Sequence, residues 1–342
     1  MGGADRDERR AALAPGRLGF GAAAIANLFA PVTDADSSDA LAAALAAGVR
    51  HVDTAPYYGY GLSESRVGRA LARVPGDDVT VSTKVGYLLD ARLARDESGI
   101  FVGDLPDLGI GFDYGRASVL ASLDASRGRL GRERIDVALL HDLDPTVHRD
   151  PATFERHVAV ALAEGWPTLA ELRAAGTVGA IGFGINQAAA AERLLEATDP
   201  DIILLASRYT LLEHEGALPL LAACARRGVA VMIGAPFNSG ILAVGATAAA
   251  MYDYAPPDAS VLDRVRRMEA VCAVHDVPLG AAALQFLFGQ PAVVKVIPGM
   301  RSAAEVARNA AFLAHPIPQA LWEDMRAQGL IAAGAPTPGA TA

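Results

Sequence analysis

Short apolar runs alternate along the chain with polar turns and amphipathic segments. Eight of the runs read as strands, at 18–24, 49–53, 79–84, 135–140, 178–183, 202–206, 229–233 and 293–297. Each is short and often β-branched, as expected of strands buried on both faces. Between them, apolar residues at i, i+3, i+4 spacing predict helices over 36–47, 63–72, 117–130, 166–175, 188–197, 217–227, 260–275 and 302–313. Ser37 or Ser38 marks the first helix start, and Gly48, Gly176 and Gly228 mark stops. Eight strands alternating with eight helices predict an α/β fold, a (β/α)8 TIM barrel in a single domain with long loops at its C-terminal face. An open doubly wound sheet is the alternative, and it would place a phosphate-binding glycine loop after the first strand. Gly19, Gly21 and Ala24 match G-x-G-x-x-A, but the charged, proline-containing ERRAALAPGR precedes them where a hydrophobic strand is required.

Three stretches break the rhythm. Residues 85–115 lack clear periodicity and are rich in Gly and Asp, which suggests a functional lid. Residues 238–257 follow the seventh strand and are rich in Gly, Ala and Pro. The ending AAGAPTPGATA, residues 332–342, is low-complexity. The division expected is an N-terminal extension at 1–16, the barrel at 17–330 and a flexible tail at 331–342.

Composition narrows the function classes. Of 342 residues, 52% are hydrophobic and 20% charged, which excludes disorder as the default. Lys plus Arg total 30 against 39 Asp plus Glu, a net charge of -9. That charge argues against nucleic acid and anionic membrane surfaces as partners. No uninterrupted apolar window is long enough for a membrane span. Arg9 and Arg10 ahead of the apolar stretch 18–30 mimic a secretory signal, but Asp5, Asp7 and Glu8 and the breaks at Gly19, Gly21 and Asn27 argue against one. Cys224 and Cys272 lie far apart, which excludes a disulfide scaffold and a cysteine zinc site and fits a reducing cytoplasm. The histidines show no metal-binding spacing, so no metal is expected. No phosphate-loop or serine-nucleophile motif is present.

In a barrel the polar residues at the carboxyl ends of strands are the candidates for chemistry. Asp53 ends the second strand, with Tyr57 and Tyr58 just beyond; Lys84 ends the third, His141 the fourth, and Asn186 follows the fifth. Together Asp, Tyr, Lys and His suit carbonyl reduction or its reverse. Hydride arriving at a carbonyl carbon leaves an alkoxide that needs a proton. A Tyr hydroxyl can supply it, although its free pKa is about 10. A neighbouring Lys would stabilise the phenolate, and an Asp would hold the Lys charged and in place. His would polarise and orient the oxygen.

These strings resemble the aldo-keto reductase superfamily: HVDTAPYYG, STKVG, ALLHDLD, GAIGFGINQ and VIPGMRSAAEVARN, in order over roughly 17–330. The resemblance implies a barrel that binds NAD or NADP without a Rossmann fold. It implies Tyr58 as proton donor or acceptor, Lys84 and Asp53 as its tuning pair, and His141 as orienter. FDYGRASVLASLDASRGRLGRERIDVALLHDLD, ASRYTLLEH and FNSGIL are similar to the branch containing aldose 1-dehydrogenases, L-fucose dehydrogenases and pyridoxal 4-dehydrogenases. That branch implies oxidation of a sugar's anomeric hydroxyl to a lactone. A ketone or aldehyde reductase of specialised metabolism is the second reading, and a nucleotide-binding redox-sensing subunit the third. The partner expected is a small sugar or carbonyl compound, and the chain is expected to be a monomer or homodimer.

For the cofactor, the resemblance points to Gly21 and Ala22 at the first strand and to 235–240, with Ala235, Phe237, Asn238, Ser239 and Gly240 along the pyrophosphate. It also points to Gly299, Arg301, Glu305 and Asn309 around the adenosine. Gly184 and Ile185 stand where much of the family has Ser-Asn, so Asn186 is expected to hold the nicotinamide amide. Gly234 stands where many members stack a Tyr, and Tyr209 is the substitute considered. A carboxylate about 4 Å from a 2′-phosphate opposes it by roughly 4 kcal/mol at an effective dielectric near 20. Glu305 therefore favours NAD over NADP. Tyr57, Tyr87 and Phe237 are candidate pocket walls, with Tyr57 and Tyr87 facing substrate. Asp142 and Asp144 read as loop-capping or solvated residues.

Overall fold

The computed structural model describes Leu13, residues 16–74 and residues 78–339. Eight parallel strands form the barrel: β1 (Phe20–Gly21), β2 (His51–Asp53), β3 (Thr80–Val85), β6 (Ile135–His141), β7 (Val178–Ile185), β8 (Ile202–Ala206), β9 (Ala230–Gly234) and β10 (Val293–Ile297). β4 (Tyr87–Asp90) and β5 (Gly109–Phe112) form a separate antiparallel hairpin. Parallel bridges Leu18–Val296 and Gly21–Gly299 join the first strand to the last. At that seam Gly19 and Gly21 donate to the carbonyls of Val296 and Pro298, both at 2.9 Å. A Cβ on Gly21 would lie 2.9 Å from the Pro298 oxygen, so the seam itself requires glycine there.

Because side chains alternate along a strand, each barrel strand presents one set of residues inward and one outward. Val52, Val81, Ala138, Leu140, Ile181, Phe183 and Ile203 pack outward into the large core shared with the helices. Val137, Leu139, Ala180, Ile202, Leu204, Ala230, Met232 and Ile297 form a separate inner cluster with Leu13. The same parity puts His51, Asp53, Thr80, Ser82, Lys84, His141 and Lys295 on the inner face. The interior is thus apolar on the β6–β9 side and polar on the β2–β3 side.

Helices fall close to the expected positions, with four additions, the shortest of them Ile241–Val244. Pro151–Val160 is helical and runs through a π turn at Ala161–Gly165 into Trp166–Ala174. Leu279–Phe286 and Gln319–Ala327 are also helices. Leu279–Phe286 is apolar on nearly all sides and almost wholly buried, so it has no polar face to show a period. The first long helix, Asp34–Ala46, is capped by Thr33, whose hydroxyl accepts from the Asp36 N–H, rather than by Ser37 or Ser38.

The expected N-terminal extension lies almost entirely outside the described residues. Residues 331–339, read as tail, pack against the barrel's helices: Ile331, Ala335 and Thr337 are buried. Arg326 donates to the Ala335 carbonyl at 2.8 Å. Among the described residues no single helix is long and apolar enough to cross a membrane.

Candidate active site

Asp53, Lys84 and His141 occupy the carboxyl ends of adjacent strands and face inward, and Tyr58 stands on the turn after β2. Lys84 Nζ donates to Asp53 Oδ2 at 2.8 Å, to the Thr54 carbonyl at 2.9 Å and to Tyr58 Oη at 3.0 Å. All three ammonium protons therefore have partners. Lys84 is 1% exposed, a burial tolerable only because Asp53 neutralises it. Gly184 sits opposite, and a Cβ there would lie 3.1 Å from Lys84 Cε. The absence of a side chain at Gly184 thus leaves room for the lysine stem.

The Tyr58 and His141 rings meet edge to face, with centroids 5.8 Å apart. Burial, reinforced by the Lys84 charge, holds the His141 pKa well below the usual imidazole value, so the ring is neutral at pH 7. His141 Nδ1 is buried and has no hydrogen-bond partner among the described residues. From the sequence, Lys84 is expected to stabilise the phenolate form of Tyr58. In the structure, loss of water around the hydroxyl dominates and holds it well above the ordinary phenol value, with the charges of Asp53 and Asp142 adding. Asp53 lies 2.8 Å from the ammonium and cancels much of its field at Tyr58. Tyr58 is therefore a proton donor at neutral pH, and serving as a base requires it to give up a proton first.

Aromatic rings surround this centre. Tyr57 stacks on Tyr87 at 4.7 Å, and Phe101 meets Tyr57 edge-on at 5.3 Å. Tyr57 donates to Asp96 Oδ2 at 2.5 Å, and Tyr60 accepts from the Asp96 N–H at 3.2 Å. The segment expected as a lid is thereby fastened over the site. Phe101 and Asp96 were not singled out from the sequence, because nothing in an aperiodic segment says which residues turn inward.

Asp142 was read as capping or solvated, yet it is buried beside His141. Its Oδ2 accepts from Tyr87 Oη at 2.8 Å, and its Oδ1 from Asn186 Nδ2 at 2.8 Å. It also lies 3.6 Å from His141 Nε2. Its φ of 51° turns the chain so that both aspartates of LLHDLD point in. Burial pushes its pKa up to about 6, with Asp144 adding, against the lowering effect of the two hydrogen bonds and Lys84. Asp144 caps the loop as expected, accepting from the N–H groups of Thr146 and Asn186, both at 2.9 Å.

The cofactor positions come out unevenly. Asn186 Nδ2 is already committed to Asp142 and Asp144, at 2.8 and 3.2 Å, so the amide can offer a ligand only its oxygen. Tyr209 is not at the site. It is fully buried and stacks on Phe286 at 5.6 Å, two residues beyond the left-handed turn at Ser207 (φ 60°). The Asn238 side chain also turns inward, donating to the Ser207 carbonyl at 3.1 Å and to Glu213 at 3.2 Å. It braces the loop rather than lining it.

Around it, Ala235, Asn238 and Ser239 all have positive φ, and Gly240 has φ 108° with open space where a side chain would project. Such left-handed backbone is costly and gathers at ligand-binding turns. Phe237 packs edge-on to Phe312 at 6.4 Å. Ala22 donates its N–H to the Asp53 carbonyl at 2.9 Å. Ser302 caps the helix Ala303–Ala314, and Glu305 Oε2 accepts from the Arg301 N–H at 2.8 Å while Oε1 faces Arg301 Nε at 3.4 Å. On the same helix, Asn309 is buried and its Oδ1 lacks a partner among the described residues. An unmet buried acceptor beside a strained glycine loop and an arginine fits a bound dinucleotide. Among the described residues, no group of three His, Cys, Asp or Glu is placed to hold a metal ion.

Residues 17–328 match the sequence profile of the Aldo/keto reductase family. The chain is 39% identical over 334 residues to a D-threo-aldose 1-dehydrogenase of a Pseudomonas species, covering 96% of this chain and 97% of that one. It is 36% identical over 326 residues to a pyridoxal 4-dehydrogenase of Microbacterium luteolum, covering 92% and 94%. Its fold matches an aldo-keto reductase of Bacillus halodurans in its holo form with a TM-score of 0.70 at 22% identity, over 93% of each chain. It also matches a glycerol dehydrogenase of Gluconobacter oxydans with a TM-score of 0.70 at 20% identity, over 95% of this chain and 94% of that one.

Proposed function

The chain belongs to the aldo/keto reductase family, oxidoreductases that use a nicotinamide cofactor, and we propose that it oxidises the anomeric hydroxyl of a sugar-like substrate to a lactone. The observation that carries this reading is the Lys84 ammonium, held between Asp53 at 2.8 Å and Tyr58 Oη at 3.0 Å at the open end of the barrel. The extended similarity to a D-threo-aldose 1-dehydrogenase directs it towards sugars. The polar side of the pocket agrees: Asp142 and the free oxygen of Asn186 are acceptors suited to hydroxyl groups, beside the flat rings of Tyr57 and Tyr87.

When bound, the nicotinamide takes up or supplies the hydride. The chain's own residues handle the proton. Tyr58 Oη exchanges it with the substrate oxygen, and Lys84 stabilises the phenolate form. Asp53 keeps Lys84 charged in a site from which water is excluded. His141, held neutral, has one N–H to place on the substrate oxygen as charge develops there. Such acid–base assistance contributes on the order of 10²–10⁴-fold.

NAD is the preferred dinucleotide in this account. Glu305 engages Arg301, so a 2′-phosphate would have to displace a carboxylate to reach that guanidinium, whereas a ribose diol could donate to it. Asn309 would hold the adenine amine. Cys224 and Cys272 are both buried free thiols, in keeping with a cytoplasmic protein. The test is a panel of aldoses, pyridoxal, ketones and aldehydes, read by NADH and NADPH absorbance with both cofactors in both directions. Turnover of an aldose by NAD⁺ is expected; turnover confined to ketone or aldehyde reduction would replace this reading.

A further inference from the structure

Below the tetrad, inside the barrel, the structure holds a row of polar side chains that the reaction as described does not use. Thr80 Oγ1 lies 3.0 Å from the Arg50 carbonyl and 2.8 Å from His51 Nδ1. His51 Nε2 lies 3.2 Å from Ser82 Oγ, and Ser82 Oγ lies 2.6 Å from Asp53 Oδ1. The register places these groups in one line, since His51 pairs with Thr80 and Asp53 with Ser82 across β2 and β3. His51, Ser82 and Asp53 are all buried.

Counting protons orders this row. There are four contacts, but Thr80, a neutral His51 and Ser82 carry one proton each. The contact to a carboxylate is the shortest, in the range of a charge-assisted O–H donor, so Ser82 donates to Asp53. Ser82 then has no proton for His51, and Nε2 must be the imidazole's donor. Nδ1 is therefore its acceptor and takes the Thr80 hydroxyl. The contact left without a proton is Thr80 to the Arg50 carbonyl, which already accepts the Thr80 N–H at 2.9 Å. One arrangement satisfies every group, and all its donors point toward Asp53.

We propose that Ser82 and His51 are positioning residues of the reaction, which deliver an oriented hydrogen bond to Asp53 and so set how readily Lys84 stabilises an ionised Tyr58. The inference rests on Tyr58 being the acid–base group. Asp53 has one oxygen on Ser82 and the other on Lys84. Without the Ser82 hydroxyl, the carboxylate's charge concentrates on Lys84 and faces Tyr58 less screened, which makes Tyr58 harder to ionise. Besides Lys84, the charged group that acts on His51 is Lys295, which approaches it from β10. Burial, with Lys295 and Lys84 adding, pushes the His51 pKa down to about 3. The row therefore stays uncharged while Tyr58 titrates.

The experiment has two arms. The first is the pH profile of kcat for oxidation in Ser82→Ala and Ser82→Thr. In Ser82→Ala the acid limb should move up by about one pH unit, a tenfold loss at fixed pH on that limb, with the cofactor KM unchanged. Ser82→Thr, which keeps the hydroxyl, should restore the native profile. A folded Ser82→Ala protein with the native profile overturns the proposal. The second arm needs no turnover: long-range ¹⁵N–¹H NMR of the native protein labelled in histidine, with His51 identified by its loss in His51→Gln. The Nε2–H tautomer should persist from pH 5 to 9. An Nδ1–H tautomer, or a cationic ring in that range, refutes the ordering. If the tautomer is as assigned and Tyr58→Phe remains active, the tetrad reading fails and the ordering stands.

Discussion

Replacing Lys84 with Met keeps the length of the stem and removes the charge. In the structure that charge lies 3.0 Å from the oxygen Tyr58 must ionise. At an effective dielectric of 20, a full phenolate charge at that distance is stabilised by about 5.5 kcal/mol. A proton half transferred in the transition state would feel about half of it, roughly 2.7 kcal/mol, or about 10²-fold in rate. Lys84→Met should therefore lose about 10²-fold in kcat/KM at pH 8. The loss must be equal in both directions, because the variant cannot alter the overall equilibrium. The assay is NADH formation and consumption on the substrate identified by the panel, with cofactor affinity measured by fluorescence titration. Native cofactor affinity would show that the barrel is intact. A folded Lys84→Met protein within threefold of native turnover would falsify the assignment of Lys84 as the group that stabilises ionised Tyr58.

Asp142 offers a prediction about stability. Its folded pKa, about 6, is raised above the usual carboxylate value. The folded state therefore holds this proton more tightly than the unfolded chain. Its contribution to stability is present below the unfolded pKa, near 3.9, and is lost as pH rises through about 6, a loss of roughly 3 kcal/mol by pH 7. Asp142→Asn should thus melt at a higher temperature than the native chain at pH 7.5 and at nearly the same temperature at pH 4, while KM for a polyhydroxylated substrate rises. An equal melting shift at both pH values would contradict the argument. Glu305→Gln should release Arg301 and shift the ratio of kcat/KM for NADP⁺ over NAD⁺ upward by about tenfold or more; an unchanged ratio would show that Glu305 does not govern the choice.

Much of this site was legible because a barrel turns sequence order into geometry. Short apolar runs ending in Asp53, Lys84, His141 and Asn186 mark strand ends, and strand ends meet at one face. The parity of the strands also reaches beyond the tetrad. His51 and Ser82 share the inner face with Asp53 and Lys84, and two-residue spacing alone places them there. Tyr209 was misplaced for a local reason, since a left-handed turn at Ser207 is not visible in a non-glycine residue. Asp142 was missed because capping is what most aspartates after a strand do, and only its φ of 51° sends it back towards His141. The hairpin Tyr87–Asp90 with Gly109–Phe112 has strands of four residues each, too short to show a period. The helix Leu279–Phe286 is buried on nearly all sides and shows no polar face.

The central claim is that Tyr58 moves the proton. Tyr58→Phe removes one oxygen and leaves the ring against His141. We predict loss of at least 10³-fold in kcat at every pH from 6 to 10, with cofactor affinity and thermal stability close to native. Turnover by a folded Tyr58→Phe protein at a rate near native would contradict the account.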